Sequence, residues 1–192
     1  MSKKDYNQFP KFQNFLASFG ASRLLLQRAH DQGFLIEGMI LYSSLIDGLL
    51  RIAIILKAQL ENKSSEIDEM LISQQEGGGY FTEKQIMKLA LEKGIITDQT
   101  HKKISNLYDE RNKTVHRFFL SNIEYSNLPP HLVNYEFTYH EIWKIVYNLE
   151  SEQIKTGVGM TKTGDKIVEE DKKKIMEEMK KKIDSKGASN NA

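Results

Sequence analysis

The run Arg111-Asn112-Lys113-Thr114-Val115-His116 gathers, within six residues, groups suited to chemistry at a phosphodiester. An imidazole exchanges a proton near neutral pH. A guanidinium stays charged, and its planar fork matches phosphate oxygens and stabilises charge that develops in a phosphoryl transition state. The amide of Asn112 can orient the imidazole or contact the phosphate. RNA supplies its own nucleophile, the 2′-hydroxyl, so such a scheme needs no metal. Neither paired carboxylates nor a histidine cluster suggests one.

These residues sit on a segment with strong helical periodicity. Thr97 to Leu120 reads as one amphipathic helix, with Ile104, Leu107, Tyr108, Val115 and Phe118 on the apolar stripe. Arg111 falls in the middle of that stripe. A guanidinium is rarely buried without a partner, so a carboxylate, a subunit boundary or a phosphate must meet it. Asn112 and His116 are i, i+4 neighbours on one flank. Arg111 and His116 are about 140° apart, with about 7.5 Å of axial rise between them. A shared site therefore needs the long arginine to reach round, or two chains to pack these helices together. The alternative is a structural ion pair plus a surface histidine.

Lys113 and Arg117 flank the run and would widen an RNA-binding groove. Asp47 presents the mirror problem, a carboxylate on the apolar side of an earlier helix with Ile36, Ile40, Leu50 and Ile54. Either it lies near Arg111 and orients the guanidinium, or it only borders the buried stripe. The other histidines have plainer readings. His30 ends a helix, where a cation suits the dipole. His101 lies near a helix start, His131 in a loop after two prolines, and His140 inside a capping box.

The elements that must carry these residues are helical. The chain has 192 residues, 40% of them hydrophobic, enough for one domain with a core. Basic and acidic side chains balance at 27 to 26, so nucleic-acid binding would rest on a local patch. The absence of cysteine excludes disulfides and thiolate chemistry and fits a reducing compartment. No leader is visible, and the most apolar run, Ile52 to Leu56, is too short to span a bilayer. A soluble cytoplasmic protein with no membrane partner is expected.

Helices are predicted over Phe12–His30, weakened at Gly20, and over Leu35–Leu60. A short one falls within Ser64–Glu76, before the break at Gly77-Gly78-Gly79. Thr82 and Gln85 form a capping box with Phe81 and Ile86 as its staple, and Gly94 closes that helix. Pro129-Pro130 is placed in a long connection. Thr138 and Glu141 form a second capping box, opening a helix through Trp143 and Leu149. Thr156–Asp165 reads as a Gly/Thr linker. Lys166–Asp184 reads as a Lys/Glu helix whose thin stripe is Ile175, Met179 and Ile183. Ser185–Ala192 reads as a polar end. The fold class is all-α, an antiparallel bundle of four principal helices with a short extra helix and an appended charged C-terminal helix. The domain boundary is set at 1–155 for the bundle and 156–192 for the remainder. The lysine runs 172–174 and 180–182 are interleaved with glutamates and read as a solvated face.

The segment from Leu107 to Phe118 resembles the signature of HEPN domains (higher eukaryotes and prokaryotes nucleotide-binding). That motif is an Arg, four to six residues, then His, often with a polar residue directly after the Arg, late in a helical bundle. The resemblance covers roughly Phe12 to Ser151. It implies a metal-independent endoribonuclease, active as a homodimer whose motif helices meet in a cleft. It also implies a role as a toxin or phage-defence component, with an antitoxin or defence-system partner. By position, Arg111 would bind the scissile phosphate, His116 would be the general acid/base, and Asn112 would be accessory. The products would carry a 2′,3′-cyclic phosphate and a 5′-hydroxyl, with no cofactor. In relatives paired with minimal nucleotidyltransferase antitoxins a tyrosine stands two residues after the His. Phe118 occupies that position here, so neutralisation by adenylylation of that hydroxyl is not expected. The alternative function is a non-catalytic HEPN-like module that binds RNA, a nucleotide or a partner protein.

Overall fold

The computed structural model describes residues 5–73, 80–120 and 122–161, together with 173, 176, 177 and 179–183. Among the described residues the α-helices are α1 (Asp5–Gln32), α2 (Leu35–Asn62), α3 (Glu83–Glu92), α4 (Asp98–Arg117) and α5 (Pro129–Thr156), with residues 179–183 also helical. Single turns of 3-10 helix cover Glu69–Leu71, Phe118–Leu120 and Tyr125–Asn127. No strand occurs among the described residues, so the all-α expectation holds there. The glycine break at 77–79, the lysine run at 172–174 as a whole and the polar end at 185–192 lie outside the described residues.

The apolar character of α2 makes it central. It packs against α1, α3, α4 and α5. Leu49, Leu50, Ile54, Ile55 and Leu56 are all essentially inaccessible to solvent. Each such side chain contributes on the order of 2 kcal/mol by leaving water. Gly48 lets α1 approach, because a Cβ there would sit 2.9 Å from the Phe19 ring. The helix expected over Leu35–Leu60 is observed as the 28-residue Leu35–Asn62. By length and composition it could cross a membrane, but 67% of its apolar window is buried inside the protein, as in a core helix.

The helix ends follow local chemistry. α3 opens on the capping box: Thr82 N–H donates to Gln85 Oε1 at 2.8 Å, and Gln85 N–H to Thr82 Oγ1 at 3.3 Å. It closes at Gly94, whose φ of +63° suits a residue without Cβ. There Gly94 N–H reaches Leu91 O and Ile95 N–H reaches Ala90 O, the paired bonds of a Schellman ending. Thr97 caps α4 by accepting from Thr100 N–H at 3.2 Å.

Several boundaries differ from expectation. α1 starts at Asp5 and passes through Gly20 without a break. The Ser64–Glu76 segment holds only the 3-10 turn Glu69–Leu71 among its described residues. The second capping box does not open a helix. α5 begins nine residues earlier, at Pro129, with prolines in its first turn where their missing N–H groups cost nothing. Thr138 is fully buried mid-helix, and its hydroxyl donates back to Asn134 O at 2.8 Å. His131 accordingly lies in the first turn of α5 rather than in a loop. Near the C-terminus, Met179 sits over Gly20 of α1, and Lys182 Nζ donates to Asn14 Oδ1 at 2.6 Å. That lysine therefore reaches α1 from a position still open to solvent.

Candidate active site

α4 presents its buried face through Thr100, Ile104, Leu107 and Thr114. Val115, expected on the stripe, is 39% exposed, and Thr114 is buried instead. Thr100, Leu107 and Thr114 recur every seven residues, a line that drifts only about 20° per step around a helix. Val115 lies about 100° beyond Thr114 and comes clear of it. Arg111 stays on the inner side, with its side chain 16% exposed.

The partner that Arg111 requires is Glu83, in the first turn of α3. Arg111 Nη1 donates to Glu83 Oε1 at 3.0 Å and Nη2 donates to Oε2 at 2.6 Å. This is a two-pronged, charge-assisted contact. The guanidinium carbon also lies 4.8 Å from the centroid of the Tyr108 ring, and Lys84 Nζ lies 5.1 Å from the same centroid. Two cations thus share one aromatic ring.

Asp47 lies within electrostatic range of Arg111, as one of the two readings of the sequence has it, but makes no direct hydrogen bond to the guanidinium. Its Oδ2 accepts from Arg51 Nε at 2.6 Å, one turn along α2. Asp47 and Arg51 are i, i+4 neighbours, so the nearest cation takes one oxygen of the carboxylate. Arg51 also donates from Nη1 to Leu71 O at 3.0 Å and from Nη2 to Phe81 O at 2.8 Å. Phe81 is two residues before Glu83. A chain of contacts thus runs from Asp47 through Arg51 to Phe81 O, two residues before the Glu83 that bonds Arg111. Burial raises the Asp47 pKa; Arg51 opposes that shift, while Glu83 adds to it and Arg111 lowers it. Its Oδ1 is buried without a hydrogen-bond partner. A cavity of about 20 Å³ lies here, lined among others by Ser43, Asp47, Glu83, Tyr108 and Tyr135, which is room for roughly one water.

α5 buttresses the other side. The Tyr135 hydroxyl donates to Leu107 O, the carbonyl that also receives the Arg111 N–H in regular helix geometry. Burial foremost, with Glu110 adding to it, raises the Tyr135 pKa and keeps the phenol a neutral donor. His131 Nδ1 lies 2.9 Å from Glu110 Oε2, next in sequence to Arg111.

The remaining predicted residues occupy the outer side and the end of α4. Asn112 is half-buried, while Lys113, His116 and Arg117 are exposed. The structure brings Arg111, Glu83, Tyr108 and Lys84 together, with Asp47 at the cavity edge. None of Arg111, Asn112 and His116 lines that cavity, although Glu83, the partner of Arg111, does. Among the described residues no cluster of three metal-ligating side chains occurs.

Lys84, Tyr135, Glu83 and Arg51 were not singled out in the sequence, and the last two are the partners of Arg111 and Asp47. Both left a signal there. Glu83 shares a helical face with Ile86, Met87 and Ala90, all buried, so it is another charge on an apolar side. Arg51 follows Asp47 at the spacing of a helical ion pair. No family model, curated protein or solved structure matches the chain.

Proposed function

We propose that this chain is a metal-independent endoribonuclease of the HEPN type. In this reading Arg111 binds the scissile phosphate and His116 exchanges protons with the 2′-hydroxyl and the leaving 5′-oxygen. The observation that carries it is the pairing of two environments on one helix. Arg111 is anchored and half-sequestered, while Lys113, His116 and Arg117 turn a basic, protonatable surface to solvent along the following turns. A cationic surface of this kind suits a phosphate backbone.

The fold is then a HEPN-like antiparallel bundle, with α1, α2, α4 and α5 as principal helices and α3 as the short element before the motif helix. The angular separation of Arg111 and His116 on α4 is met by a homodimer in which two motif helices border one cleft. The partners are an RNA substrate and an antitoxin or defence-system protein, in the cytoplasm. Purified protein tests this directly. RNA is cut in EDTA by the wild type, and the rate falls at least about 100-fold in both Arg111→Ala and His116→Ala. Cleavage that survives both substitutions, or a wild type that never cuts, would refute it.

One observation favours the second reading, a module that binds without cutting. Arg111 already has a bidentate carboxylate partner, and His116 stands outside the cavity beside it. Tight RNA binding without turnover is the outcome that selects this alternative.

A further inference from the structure

A guanidinium has two edges that can each make a two-pronged contact: the end edge, with Nη1 and Nη2, and the side edge, with Nε and one terminal nitrogen. Glu83 occupies the end edge of Arg111. No acceptor among the described residues takes the Nε–H. We infer that Glu83 is a positioning residue that holds the end edge so that the side edge is presented to a phosphate group. This inference rests on the proposed reading for its biological substrate, but the phosphate site itself stands on local geometry.

Three observations converge on it. The first is rigidity. Glu83 sits in the first turn of a helix pinned by the Thr82–Gln85 capping box and, through Phe81 O, by Arg51. An arginine held by a fixed carboxylate loses less freedom when it grips a ligand. The second is charge. Arg51 pairs with Asp47 and Arg111 with Glu83, Glu110 is bonded to His131, and Lys84 adds a further cation on the Tyr108 ring beside Arg111. The third is access. Arg111 and Glu83 are 16% and 28% exposed, so the pair opens to solvent rather than being sealed in the core. Lys84 is exposed, with its Nζ 5.1 Å from the centroid of the same tyrosine ring.

Nitrogen-detected NMR of the full chain, with ¹⁵N-labelled arginine, reads the site without requiring catalysis. The Arg111 Nε–H signal is assigned by its loss in Arg111→Lys, then followed during titration with inorganic phosphate against chloride at matched ionic strength. The expected result is a saturable shift in the wild type, with affinity weakened at least about fivefold in Glu83→Gln. Glu83→Asp keeps the charge but shortens the arm, and it should weaken binding too; it serves if the glutamine variant fails to fold. Cleavage by Glu83→Gln should show a kcat lowered about tenfold with KM changed less than about twofold. Tighter phosphate binding in Glu83→Gln would mean that the carboxylate competes for the fork, and would overturn the inference. So would a wild-type signal indifferent to phosphate. If phosphate binds as expected and RNA is not cut, the ribonuclease reading fails and the anchoring role stands. If His116-dependent cleavage is observed with no effect of Glu83, the reverse holds.

Discussion

Asp47 and Glu83 are both carboxylates on apolar helix faces, yet they carry different burdens. Glu83 receives two guanidinium N–H groups on its two oxygens. Asp47 receives one on Oδ2 and leaves Oδ1 buried and unmatched. Its pKa is raised in the folded protein, with burial the largest cause. The sign of the consequence follows. Between the ordinary aspartate pKa and the raised value, the folded state holds a proton that the unfolded chain has released. The stability Asp47 contributes is therefore greatest in acid and declines as pH rises through that window. The wild-type unfolding free energy minus that of Asp47→Asn should fall as pH is raised from about 3 towards neutrality. Chemical denaturation at several pH values measures it, and a difference that climbs with pH contradicts the assignment. At this scale the sequence was half legible. The phase of Arg111 on its helix demanded a partner and named a carboxylate as one solution. It gave no distance by which to choose Glu83 over Asp47, because that choice depends on how α2 and α3 meet α4.

Helix starts show how a local pattern can be true in one place and empty in another. Thr82 and Thr138 both begin a Thr-x-x-Gln/Glu box ahead of an apolar run. The Thr82 box forms, because the loop before it leaves the first N–H groups of α3 without partners. The Thr138 box does not, because the prolines at 129 and 130 have already started α5 and every N–H near Thr138 has an intrahelical acceptor. Replacing each threonine by the isosteric valine separates the two. Thr82→Val should lose about 1 kcal/mol of stability, the usual worth of a cap. Thr138→Val should lose less than about 0.5 kcal/mol, since its hydroxyl only bonds a carbonyl already used within its own helix. Urea denaturation of the two variants decides it, and equal losses would refute the distinction. The boundaries the sequence placed well, at Thr82, Gly94 and Thr97, are those where side-chain and backbone chemistry act within four residues. The start of α5 was misplaced because two start signals competed and only tertiary packing shows which face of the segment is buried.

Over the whole molecule, α2 organises the helices, and two glutamines join its end to α5 and the chain beyond. Gln153 is fully buried: its Nε2 donates to Leu56 O at 3.1 Å and to Gln59 Oε1 at 3.0 Å, and its Oε1 accepts from Thr161 N at 3.2 Å. Gln153→Leu would leave several of these groups unmatched and should cost about 3 kcal/mol, read as a lowered urea midpoint. A loss below about 0.5 kcal/mol would show that water replaces the amide. The all-α class was legible because hydrophobic periodicity survives any arrangement of helices. This glutamine junction was not, since a buried amide looks like a surface one until its neighbours are known. The account as a whole turns on whether the basic end of α4, beside an anchored Arg111, performs transesterification on RNA. Mass spectrometry of fragments from RNA incubated with the purified chain in EDTA tests that most directly. The prediction is 2′,3′-cyclic phosphate and 5′-hydroxyl ends that vanish with His116→Ala. Fragments bearing 3′-hydroxyl ends, or cyclic ends that persist without His116, would contradict it.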